Sequence, residues 1–179
     1  MGEARLHDPV LLVIAAFSRH AETLDWARGR LEQAFGPVAL ASAPYRFEQT
    51  TYYQATMGPD LCKQFLAFQN LVAADSLADI KLSTNNIEKE LIAARKWPES
   101  RPLNLDPGIL TLGKFHLATT KDQAHRVYLR EGIFAEVTLR FHAGAWEPWP
   151  WTYADYRLAE VLAFLKEARD YYRQRLTCE

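Results

Sequence analysis

Between Ile133 and Phe141 one set of residues, Ile133, Ala135, Val137, Leu139 and Phe141, is apolar throughout, while Glu136, Thr138 and Arg140 fall in the alternate positions with Phe134. Period two is the signature of a β-strand. A strand with one apolar and one polar face needs strand neighbours and a layer that covers its apolar side. Neighbours are at hand in Phe115 to Thr120 and His125 to Leu129, separated by Lys121-Asp122-Gln123-Ala124 and followed by the turn Arg130-Glu131-Gly132. Together these three segments predict an antiparallel meander. A covering layer is offered by Leu158, Val161, Leu162, Leu165 and Tyr172, the apolar stripe of a C-terminal helix. Thr152 and Asp155, three apart at its start, read as a variant capping box.

The first half predicts a different order. Val10 to Phe17 is an aliphatic run of strand length, and Leu24, Ala27, Leu31, Ala34 and Phe35 follow at helical spacing until Gly36-Pro37. Val38 to Phe47 and Thr51 to Met57 read as a hairpin, because β-branched and aromatic residues flank the polar break Glu48-Gln49-Thr50. Leu61, Phe65, Phe68 and Val72 then form a helical stripe. The resulting βαββα order is the opening of a ferredoxin-like split sandwich. Leu77 to Leu91 fits either period, and the reading adopted is a short extended piece entering a helix near Ser83 or Thr84. Trp97 to Gly108, with three prolines and a glycine, reads as a connecting loop. The expected fold is α+β, in a single domain spanning 1–179.

With 179 residues and a formal charge of −1, the chain lacks the basic excess of a general nucleic-acid binder, so nucleic acid is not an expected partner. Its two cysteines, Cys62 and Cys178, form no zinc-type spacing or disulfide framework, which favours a reducing, cytoplasmic setting. No stretch approaches the ~20 apolar residues of a membrane span. Acidic Glu3 and Asp8 before the Val10–Phe17 run argue against a signal peptide.

Several constellations could carry chemistry. Arg101, Asn104 and Asp106 place a cation, an amide and a carboxylate in a loop stiffened by prolines, although a turn alone also accounts for Asp106-Pro107-Gly108. Glu136, Thr138 and Arg140 share the polar strand face, with Arg126 and Tyr128 on the next strand; that face either lines a cleft or is solvated. Lys121, His125 and Arg126 around a hairpin turn suit a phosphate or carboxylate, or simply make a basic hairpin. Lys81, Asn85 and Glu88 would project together from a helix, most simply as a solvated face. The Trp146–Trp151 loop with Tyr153 and Tyr156 reads as a lid or packing cluster. No H-x-x-x-H pattern is present, so a metal site would have to be assembled from separate strands, and no G-x-S-x-G elbow offers a nucleophile.

The expectation is an anionic small-ligand site of phosphate or nucleotide type. Arg101, Lys121, Arg126 and Arg140 would bind the charge and Asn104 would orient it. Asp106, His125 and Glu136 would be the candidates to move protons or hold a divalent ion such as Mg²⁺. The alternative is a non-enzymatic interaction or homo-oligomeric domain, in which the same face and the Trp-rich loop meet a protein.

Thr51-Tyr52-Tyr53, Ile80-Lys81, Thr84-Asn85, Asn104-Leu105-Asp106-Pro107-Gly108, Thr120-Lys121, His125-Arg126-Val127-Tyr128-Leu129, Ala135-Glu136-Val137-Thr138-Leu139 and Trp151-Thr152-Tyr153-Ala154-Asp155-Tyr156-Arg157 span nearly the whole chain. With these motifs the sequence resembles the bacterial family catalogued as domain of unknown function 4416. The resemblance implies no activity, because the family is uncharacterised.

Overall fold

A computed structural model describes residues 2–177, so the expectation for Cys178 falls outside the described residues. It is a mixed α/β architecture with four α-helices and a nine-stranded sheet whose pairs are all antiparallel. At its centre β1 (Leu11–Ser18) pairs with β4 (Cys62–Phe68) on one side and β5 (Asn104–Leu110) on the other. The sheet continues outward through β2 (Val38–Ala41) at one end, and through β6 (Lys114–Thr119), β8 (Ile133–His142) and β7 (Val127–Arg130) at the other. Short β3 (Tyr45–Arg46) adds to β4, and β9 (Ala145–Pro148) to β8.

Every residue of β1 is buried, because helices cover both of its faces. Leu12, Ile14 and Ala16 pack with Leu24, Ala27 and Leu31 of α1 (Ala21–Phe35) and with Ile80, Ile87 and Leu91 of α3 (Leu77–Ala93). Leu11, Val13 and Ala15 share the opposite core with Val161, Phe164, Leu165 and Tyr172 of α4 (Ala159–Thr177). Among the described residues no helix is long and apolar enough to cross a membrane.

Several expected elements are corrected. Thr51 to Met57 is not a strand; it is a turn leading into one helical turn, α2 (Gln54–Met57). The 61–72 stretch is strand β4 rather than a helix: with layers on both faces, Phe65, Leu66, Ala67 and Phe68 are all buried. A continuous apolar run of this kind matches helical spacing by coincidence. The expected hairpin partner Val38 to Phe47 breaks into β2 and β3, both against β4. Helix α3 starts at Leu77, well before Ser83. The 97–108 loop ends in β5, where Gly108 is required by close approach rather than by a turn, since a Cβ there would lie 2.5 Å from the His116 carbonyl oxygen. The meander is reordered, with β8 between β6 and β7.

His116 on β6 is half-buried and its buried Nε2 has no partner among the described residues. Burial, with help from Lys114, pushes its pKa down to about 4. The folded protein thus keeps His116 neutral while the unfolded chain protonates it, so stability should fall as pH drops from about 6.5 towards about 4. The loss is at most about 3 kcal/mol. Urea unfolding of His116→Leu across that range should show a shallower pH dependence than wild type; identical slopes would refute the assignment.

Candidate functional site

A cavity of about 400 Å³ opens where the sheet parts. β6 pairs with β5 only from Gly108 to Leu110 and then follows β8, so β5 carries a free edge from Asn104 to Pro107. The backbone groups of that edge need partners, since an orphaned buried N–H or C=O is costly. Helix α3 supplies them. Glu88 Oε1 accepts from the Leu105 amide at 2.7 Å, and Lys81 Nζ donates to the Leu105 carbonyl at 2.7 Å. This is why Lys81 and Glu88 are buried and do not form the expected solvated face, while Asn85 stays half-buried on the same helix. Burial pushes the Glu88 carboxyl up, against the pull of Arg101 and Lys81.

The strand register builds the floor. Asn104, Phe17 and Lys63 stand side by side across β5, β1 and β4, and Asp106, Ala15 and Phe65 form the next row. The small Ala15 leaves space beside Asp106. Lys63 is almost fully buried, 2.6 Å from Asp155, with its Nζ 4.9–5.4 Å from the rings of Phe17, Phe47, Phe65 and Tyr156. Asp155 lies in a 3-10 turn (Ala154–Arg157) before α4. The expected capping box is thereby corrected: Asp155 is spent on Lys63, and Thr152 donates through Oγ1 to the Thr138 carbonyl at 2.5 Å.

Arg101 donates to Glu88 Oε2 and to Asn104 Oδ1. Asn104 is 2 % exposed, and its Nδ2 has no acceptor among the described residues; the buried Tyr156 hydroxyl is likewise without a partner. Both line the cavity. Asp106 faces it from the same side of β5 as Asn104. Burial pushes its carboxyl up, but Lys81, then Lys63, the neighbouring Asn104 amide and Arg101, hold it below the usual range. At the mouth, Lys121 Nζ lies 4.1 Å from the centre of the Tyr52 ring.

Of the residues anticipated from sequence, Arg101, Asn104, Asp106, Lys121 and Glu136 line one cavity. Arg126 stands behind the wall. Its guanidinium donates to Glu136 Oε2 at 2.8 Å, the Lys121 carbonyl at 3.0 Å and the Tyr153 hydroxyl at 2.7 Å. Mainly through burial, the Tyr153 pKa is pushed up to about 12. His125 contacts Glu136 at 3.3 Å and stacks on Trp151, outside the lining. Arg140 is elsewhere: a β8 bulge at Thr138 puts Leu139 and Glu136 opposite Phe115 and Leu117, which share a face of β6. Arg140 therefore points away from Glu136, so the expected shared face is broken, and it pairs with Glu147 and covers Trp149. Trp146 is buried, Trp149 stacks on Trp151, and Trp151 Nε1 donates to the Val137 carbonyl, so the Trp-rich loop is a packing cluster.

Sequence reasoning missed Lys63 and the roles of Lys81 and Asp155. The available signal for Lys63 was a lone charge in the run Leu61 to Phe68, whose only other polar residue is Gln64. Among the described residues, no group of three or more His, Cys, Asp or Glu side chains is arranged to hold a metal ion.

No curated protein matches the chain. Residues 8–172, most of its length, match the family described as Domain of unknown function (DUF4416), and the chain belongs to that family.

Proposed function

We propose that the cavity between β5, β6 and the 3-10 turn binds a small molecule through a phosphate or carboxylate group. The observation that carries this reading is the pair of orphaned buried groups, Asn104 Nδ2 and the Tyr156 hydroxyl, beside four cations, Lys63, Lys81, Arg101 and Lys121. A buried donor without an acceptor is destabilising, and a ligand oxyanion relieves it. The size suits a metabolite, since small-molecule sites typically occupy about 300–1,000 Å³. Rigid β-strands hold Lys63, Asn104 and Asp106, and Arg101 is tied to Asn104 and Glu88, so little ordering is needed on binding.

We also propose that the first half is a ferredoxin-like unit. The spatial order β2-β4-β1-β5, with α1 and α3 packed on one face, supports this reading. The alternative reading, an interaction or homo-oligomeric domain, draws less on the Trp-rich loop, where Trp149 stacks on Trp151 and Trp151 donates to the Val137 carbonyl.

Thermal shift and calorimetry against inorganic phosphate and a panel of phosphorylated and carboxylated metabolites test the proposal. Wild type should bind at least one member, and Arg101→Ala should bind it about 10–100-fold more weakly. If no anionic ligand binds or raises the melting point at millimolar concentration, the proposal fails.

A further inference from the structure

We infer that the ligand also carries a hydrogen-bond donor, a hydroxyl or ammonium group, which Asp106 receives. The inference rests on the anion-binding reading above and narrows the ligand class. Three carboxylates line the cavity, and two already accept short charge-assisted hydrogen bonds from cations of the protein. Asp155 Oδ2 accepts from Lys63 at 2.6 Å. Glu136 Oε2 accepts from Arg126 and lies 3.3 Å from His125 Nε2, and its Oε1 accepts from the Thr138 hydroxyl at 3.2 Å.

Asp106 differs. Its nearest cation, Lys81, stands 3.6 Å away, beyond hydrogen-bond distance, and donates to the Leu105 carbonyl. The Asp106 side chain is 27 % exposed, and what it is exposed to is the cavity. An ionised carboxylate has about four lone-pair sites and no donors of its own, so its natural complement is an O–H or N–H group.

Position reinforces this. Asn104 and Asp106 are two residues apart on one face of β5, so their side chains start about 7 Å apart. An anionic group at Asn104 and a donor at Asp106 are therefore within reach of one small molecule whose two groups are a few bonds apart. The charges agree as well: four cations against the three carboxylates Asp106, Glu136 and Asp155 leave an excess of one positive charge on the lining. A hydroxylated or aminated carboxylate, or a phosphorylated polyol, meets both demands. A plain alkyl carboxylate or alkyl phosphate meets only the first.

Calorimetry with matched probes separates the possibilities: butyrate against 3-hydroxybutyrate and 3-aminobutyrate, and propyl phosphate against glycerol 3-phosphate. In wild type the donor-bearing member of a pair should bind about tenfold tighter than its plain counterpart. In Asp106→Asn that preference should vanish for the ammonium probe and shrink severalfold for the hydroxyl probes, and the plain anions should bind at least as tightly as to wild type, because a neighbouring negative charge is gone. Which preference is present in wild type tells hydroxyl from ammonium. Equal binding within every pair in wild type overturns the inference and leaves anion binding standing. A preference undiminished in Asp106→Asn overturns it too. Failure of every probe to bind removes the anion-binding reading, and this inference with it.

Discussion

Lys63→Met is expected to lower the unfolding free energy by about 3–5 kcal/mol, measured by urea denaturation at neutral pH. The variant leaves Asp155, whose side chain is 5 % exposed, as an uncompensated buried charge. It also removes a cation from among four aromatic rings, each contact of which is favourable. The loss should belong to the broken pair rather than to lost volume, because methionine has nearly the shape of the lysine stem. Pairing the substitution with Asp155→Leu should therefore recover most of the stability, since apolar replacement of a whole buried pair is often neutral or better. A single variant within about 1 kcal/mol of wild type would show that the pair is not energetically buried.

Arg126→Ala should have the second-largest effect, about 3 kcal/mol, again by urea denaturation. Its guanidinium serves three acceptors on three segments: Glu136 on β8, the Lys121 carbonyl in the preceding turn, and Tyr153 before the 3-10 turn. Without it Glu136, 1 % exposed at its side chain, keeps only His125 and Thr138 as partners. Arg126→Lys should rescue less than half of the loss, because a single ammonium cannot reproduce the planar fork. Full rescue by lysine would mean that charge alone matters there.

The fold was legible where one physical signal dominated. β8 and α4 announce themselves through clean periods of two and of 3.6, and β1 through an uninterrupted aliphatic run. β4 was not legible as a strand: burial on both faces removes alternation, and Leu61, Phe65 and Phe68 then fall at helical spacing. β5 was hidden by its prolines, and Pro107 is tolerated because it precedes the first residue paired with β6. Within the site, Arg101 and Asn104 were legible because a turn accounts for Asp106-Pro107-Gly108 but gives no reason for either of them. Arg140 misled because the alternation of β8 gives no hint of the bulge at Thr138. Lys81 and Glu88 were read as solvated since nothing local reveals that β5, which follows α3 in the chain, lacks a neighbour along its first residues.

That missing neighbour has a consequence for how the two layers relate. A sheet sandwiched between helices normally acts as a partition, and the side chains of one compartment are not felt in the other. At the parting of β5 and β6 the partition has a window, and Lys81 and Glu88 reach through it from α3. The charges beneath the cavity are thus anchored to a helix on the far side of the sheet. Whatever repositions α3 along its axis, including contacts made on its outer surface, repositions those charges without touching the mouth of the cavity.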